Sequence, residues 1–214
     1  MSVALPGLIF LAFGGSIAPP FLLLTILFLG SRRPLLNTCA LALGYFITCL
    51  VIGISGLMLF GGAESTVGRV ISVTVGALLL VLGLRSLLKA PDPDVPPPGW
   101  LESIDSMSPP RAFVFGMALF PLQVKNLAIF IACLNLIIAS GLSFEGSIAA
   151  LMLVLVVFTL PVLVLIGLYA AVPQQASSML GSLQTWMGKH NRTITLVICF
   201  VFGAFFLVRG LLGA

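Results

Sequence analysis

The chain has 214 residues, 60% of them hydrophobic and only 7% charged: ten Lys or Arg, six Asp or Glu and one His. A soluble domain carries about 25% charged residues, so these few charges cannot cover a water-soluble fold, and mean hydropathy stands at +1.24. Soluble enzyme, nucleic-acid binder and disordered chain are excluded, which leaves an all-α polytopic membrane protein. The formal charge of +4 does not point to nucleic acid, because the cations fall singly at segment ends with no basic tract. Cys39, Cys49, Cys133 and Cys199 lie inside apolar stretches without a CxxC pair, which reads as small buried residues rather than a disulfide or metal site. The opening MSVALPGLIF lacks a positive n-region, which argues against a cleaved signal peptide.

In chain order, six segments are long and apolar enough for a hydrocarbon core of about 30 Å: 7–30, 35–60, 67–89, 111–139, 146–172 and 192–212. Backbone groups in lipid must pair internally, and nothing alternates like a barrel strand, so these are six predicted transmembrane helices. Arg32, Arg33, Arg85, Lys89, Arg111, Lys189 and Arg192 fall on one side, against Arg69 and Arg209 on the other. The positive-inside rule puts the first set in the cytoplasm of a plasma-membrane protein, with both termini extracytoplasmic.

The first segment carries Gly14-Gly15-Ser16-Ile17-Ala18-Pro19-Pro20 well inside it. Two prolines remove two N–H donors and clash one turn back, so the freed carbonyls need a neighbouring helix, water or a substrate. A kink that only aids packing is the competing reading. Between the third and fourth segments, the connector 90–110 is rich in proline and semi-rigid. Within it Trp100, Leu101, Ile104 and Met107 fall at helical spacing and predict a short interfacial helix. A second interfacial helix is predicted at about 174–188, with the apolar face Ala176, Met179, Leu180, Leu183, Trp186 and Met187.

The fourth segment holds Lys125 midway along 111–139. An unsheltered ammonium at that depth costs about 3 kcal/mol or more, so the side chain should face the bundle or water. Gln123 and Asn126 flank it; such amides serve either a site or helix–helix contact. Lys125 could bind an anionic headgroup or carboxylate, or take part in proton exchange. No Asp or Glu lies within a span, which disfavours a divalent-metal cargo. His190 sits beside Lys189 and Arg192 in a polar loop, and no pattern calls for a metal or other cofactor.

The two halves correspond. Phe13-Gly14 precedes Pro19 as Phe115-Gly116 precedes Pro121, and Arg69-Val70-Ile71-Ser72 is echoed by Arg192-Thr193-Ile194-Thr195. Residues 1–89 and 111–214 therefore read as a three-plus-three repeat, inverted because each unit has an odd number of spans, a signature of secondary transporters. Small-residue spacings at Ala40/Gly44 and Ser72/Gly76 make a homodimer conceivable.

Nearly the whole chain resembles a known family. The stretch from Gly99 through Ser108-Pro109-Pro110-Arg111 to Phe115-Gly116, and the end of the first segment at Leu29-Gly30-Ser31-Arg32-Arg33-Pro34, are similar to the actinobacterial GAP/Sap proteins. Those are six-span proteins named for addressing glycopeptidolipid and sulfolipid to the mycobacterial surface. The wider group resembles the lysine-exporter (LysE)-like superfamily, which implies an inverted three-plus-three fold. Members commonly carry Asn-Pro-Lys-Asn in the fourth helix; here Gln123-Val124-Lys125-Asn126 keeps the lysine and the second asparagine and loses the proline, leaving Pro121 to break the helix. Thiol-reducing transporters of similar architecture need a reactive cysteine in the first helix, which is absent here.

The resemblance and the residues together predict a non-enzymatic membrane transporter or export factor that works by alternating access. Its cargo would be an anionic, amphipathic cell-envelope lipid or glycolipid, or a small amino-acid-like solute. Lys125, Asn126, Gln123, Pro19, Pro20, Pro121, Gly15 and Ser16 form the expected binding site among membrane lipids. The alternative is a non-transporting accessory subunit of a larger lipid exporter or envelope-synthesis complex.

Overall fold

The computed structural model describes residues 4–60, 65–88, 104 and 106–212. They form helices only: α1 (Ala4–Ser16), α2 (Pro19–Leu29), α3 (Pro34–Phe60), α4 (Ser65–Leu88), α5 (Pro109–Leu122), α6 (Val124–Ala139), α7 (Phe144–Ala171) and α8 (Pro173–Leu212). Four of these open on proline, whose fixed φ suits a first helical turn and whose missing N–H is not needed there. The α6–α7 turn is equally local: Gly141 takes φ +61°, and Ser143 caps α7 by accepting the Gly146 N–H at 3.3 Å.

Helices α3 and α7 are each long and apolar enough to cross a membrane, and the bent pairs α1–α2 and α5–α6 raise the candidate spans from two to four. Shorter apolar stretches cover Val73–Leu88 of α4 and Thr193–Val208 of α8. The first predicted span is thus two helices bent by 54°, and the fourth is two helices bent by 74°.

Close helix contacts form where glycine lets backbones meet. A Cβ on Gly44 of α3 would strike the Phe113 carbonyl of α5, and one on Gly116 would strike the Leu41 carbonyl. A Cβ on Gly76 of α4 would lie 2.7 Å from the Leu207 nitrogen of α8, and one on Gly203 would lie 2.8 Å from Leu80 Cγ. The small-residue positions Gly44 and Gly76, which suggested a dimer face, are therefore occupied inside the chain. Helix α3 packs on α5 and α7 on α1; likewise α4 packs on α6 and α8 on α2.

One expectation changes and another lies largely beyond the described residues. The segment 174–188 is not a separate interfacial helix, because α8 runs unbroken from Pro173 to Leu212. The polar stretch Gly188-Lys189-His190-Asn191-Arg192 contains no proline, so the hydrogen-bond ladder passes through it. The ladder is reinforced where His190 Nδ1 donates to the Trp186 carbonyl at 2.9 Å and the two rings stack at 4.9 Å. The helix expected over Trp100–Met107 falls largely outside the described residues. Its end is anchored: Ile104 is buried, and Asn37 Nδ2 donates to the Met107 carbonyl at 2.9 Å and to Ser31 Oγ at 3.2 Å.

Candidate functional site

The two bent pairs meet where their breaks face each other. In the first pair, Pro19 and Pro20 do not kink a helix interior; they form the first turn of α2, after a break at Ile17-Ala18 with Ala18 at φ −108°, ψ 88°. Helix α1 ends tightly, with the Ala18 N–H donating to the Ser16 carbonyl at 2.9 Å and Ser16 Oγ donating to the Phe13 carbonyl at 2.7 Å. The Ile17 carbonyl belongs to neither helix.

In the second pair the break falls at Gln123 (φ −87°, ψ 74°), two residues beyond Pro121, which lies inside α5. The proline weakens the ladder by withholding its own N–H from the carbonyl one turn back, that of Met117. Thr48 Oγ1 of α3 shares its proton between the Gly44 carbonyl of its own helix at 3.1 Å and that carbonyl at 3.3 Å, so a neighbouring helix partly stabilises the defect. The Gln123 N–H then closes on the Phe120 carbonyl at 3.1 Å and ends α5.

Lys125 lies in the first turn of α6, just past this break, and its Nζ donates to the Ile17 carbonyl at 3.4 Å. One side chain thus joins the break of the first pair to that of the second. The buried thiol of Cys199 in α8 lies near the ammonium. Glu145, the one acid among the described residues, is in the first turn of α7. Helix α6 has no side-chain cap, so its opening N–H groups and its dipole add positive potential beside Lys125.

The amides complete the arrangement. Asn126, 1% exposed, donates from Nδ2 to Gln123 Oε1 at 2.6 Å and also interacts with the Tyr45 hydroxyl. Asn126 Oδ1 and Gln123 Nε2 are buried without a hydrogen-bond partner. Turning both amides over reverses their mutual bond and still leaves one donor and one acceptor free. A buried polar group left unpaired costs about 1–3 kcal/mol, so a partner for either free atom would be stabilising.

Aromatic packing fixes the frame. Tyr45 stacks on Phe21 at 4.0 Å and meets the edge of Phe120 at 5.2 Å; Phe120 meets Phe130 at 5.3 Å, and Phe130 meets Phe158 at 5.7 Å. These rings come from α2, α3, α5, α6 and α7, and Gly15 of α1 packs directly against the Phe158 ring. Gly15 and Ser16 therefore set the end of α1, while Pro20 and Pro121 lie exposed and shape the breaks from outside. Of the expected site residues, Lys125, Gln123 and Asn126 are clustered. The structure adds the Ile17 carbonyl, Tyr45 and Thr48 to this cluster and places Cys199, a small buried residue by sequence, beside it; of these Tyr45, one of only two tyrosines, carries the best sequence signal.

An apolar groove of about 740 Å³ adjoins this crossing. Ile17 and Leu22 line it from the first pair, Leu160, Pro161, Val164 and Leu165 from α7, and Trp186, Thr193, Ile194, Val197 and Ile198 from α8. Among the described residues no group of three or more His, Cys, Asp or Glu side chains comes together.

No curated protein and no solved structure matches the chain significantly. A family model does match, over residues 8–212, and it therefore takes in both breaks, Lys125 and the groove. This chain belongs to the Sap, sulfolipid-1-addressing protein family.

Proposed function

We propose that the chain is a non-enzymatic export factor that moves an anionic cell-envelope lipid across the plasma membrane, with its polar group held between the two helix breaks. The observation that carries this reading is the Lys125 contact with the Ile17 carbonyl, beside a buried amide pair with one free donor and one free acceptor. An anion would draw the ammonium and the start of α6, and a hydroxyl or ester of the same lipid would satisfy the amides. The family description names a sulfolipid, which supports an anionic lipid over a small solute.

In this reading α4 and the apolar part of α8 complete six spans, and the halves 1–89 and 111–214 form an inverted repeat of the kind found in the lysine-exporter group. The equivalent contacts α3–α5 and α7–α1, and α4–α6 and α8–α2, support that symmetry. Rocking of one half on the other alternates access to the crossing, with both termini outside. The purified chain in liposomes tests the proposal through flipping of a fluorescent phosphatidylglycerol. Wild type is expected to flip it, and Lys125→Gln to lose about ten-fold or more, the worth of a hydrogen bond to a charged group. Silent liposomes, together with stoichiometric co-purification of a larger exporter, would establish the accessory role instead.

A further inference from the structure

We propose that the groove between α2, α7 and α8 holds an alkyl chain of the lipid whose anionic group meets Lys125. This inference rests on the export reading and adds where the tail goes. Three observations lead to it. The groove is walled by Ile17, Leu22, Leu160, Pro161, Val164 and Leu165 on one side and by Val197 and Ile198 on the other. Its volume of about 740 Å³ falls within the roughly 300–1,000 Å³ of ligand sites. It also shares a residue with the polar site: Ile17 lines the groove, while its carbonyl accepts the Lys125 ammonium.

A void lined by hydrocarbon offers nothing to a headgroup and is filled well by methylenes. The charge beside it decides which lipid brings them. An anion that exchanges with the Ile17 carbonyl for Lys125 leaves its own tail at the groove wall, one residue away. Trp186, which also lines the groove, has the amphipathic ring that suits an interface. The occupant is therefore one chain of an anionic lipid with its head at the helix crossing, rather than a water-soluble solute.

The test uses the full chain in phosphatidylcholine nanodiscs with phosphatidylglycerol bearing a diazirine on its acyl chain. Phosphatidylcholine bearing the same diazirine chain is the control. Crosslinks mapped by mass spectrometry are expected on 160–165 and 193–198, in excess of the exposed α3 positions Met58 and Leu59, and with the anionic probe above the control. Val164→Trp, or Val197→Trp from the opposite wall should the first misfold, fills the groove. Either is expected to cut its labelling about ten-fold, the effect of withholding two buried methylenes. Lys125→Gln is expected to remove the preference for the anionic probe. Even labelling of α3, α7 and α8, or groove labelling untouched by the tryptophans, would mean ordinary surrounding lipid and overturn the inference. Flipping that survives Val164→Trp would overturn it too, and leave the export reading standing. Flipping that survives Lys125→Gln would instead remove the export reading itself.

Discussion

At the scale of single residues, the chemistry concentrates in three neighbours on one turn. Lys125 is held by a carbonyl that no helix uses, and Gln123 and Asn126 satisfy each other only in part. Removing both members of a buried polar pair is close to neutral, whereas removing one leaves an orphan. The triple variant Gln123→Leu/Asn126→Leu/Tyr45→Phe, which also removes the buried hydroxyl that Asn126 reaches, is therefore expected to keep its unfolding temperature, to within about 1 kcal/mol, while losing anionic-lipid flipping. Detergent melts beside the liposome assay check this, and a collapse in stability would make the amides structural. Thr48 supplies a second residue-level test. Its hydroxyl bonds the Met117 carbonyl that Pro121 cannot reach, so Pro121→Ala should make Thr48 dispensable. A double-mutant cycle of Thr48→Val with Pro121→Ala should show a coupling of about 0.6 kcal/mol, the average for interhelical hydrogen bonds in lipid.

At the scale of elements, the breaks and the glycine contacts decide how the helices meet. Gly116→Ala puts a Cβ into the Leu41 carbonyl and is expected to destabilise by about 1–3 kcal/mol, as overpacking does. Gly167→Ala meets nothing within 4 Å and is expected to be neutral or to stabilise slightly, since alanine favours a helix. Comparative melting of the two variants checks the pair. Both breaks are legible in the sequence to within a few residues, because proline acts on its own backbone. Lys125 stands out there because a charge in an apolar run has few explanations. Thr48, the Tyr45 aromatic chain and the Ile17 carbonyl are not legible, since those depend on which faces meet across the bundle. Small-residue spacing is ambiguous for the same reason: Gly44 and Gly76 read as an intermolecular surface and serve intramolecular contacts. The continuity of α8 was missed because polar residues mark an interface and, lacking proline, do not end a helix.

At the scale of the whole molecule, thiol reactivity samples the packing in one measurement. Of four cysteines, Cys49, Cys133 and Cys199 are buried and Cys39 is exposed near the start of α3. A maleimide should label Cys39 in the native protein and all four after denaturation; rapid native labelling of Cys199 would contradict the packing around Lys125. Beyond packing, the length of α8 has a mechanical consequence. Its 40 residues extend about 60 Å at 1.5 Å per residue, roughly twice the hydrocarbon core. The helix is gripped by α4 from Gly76–Leu207 and Gly203–Leu80 to Gly83–Cys199, while Trp186 lies about 20 Å along the axis from the last of these. Such a helix would act as a lever with its fulcrum near Gly83. A tilt of about ten degrees there would swing the Trp186 end by roughly 3.5 Å, enough to open or shut one wall of the groove while α4 stays in place.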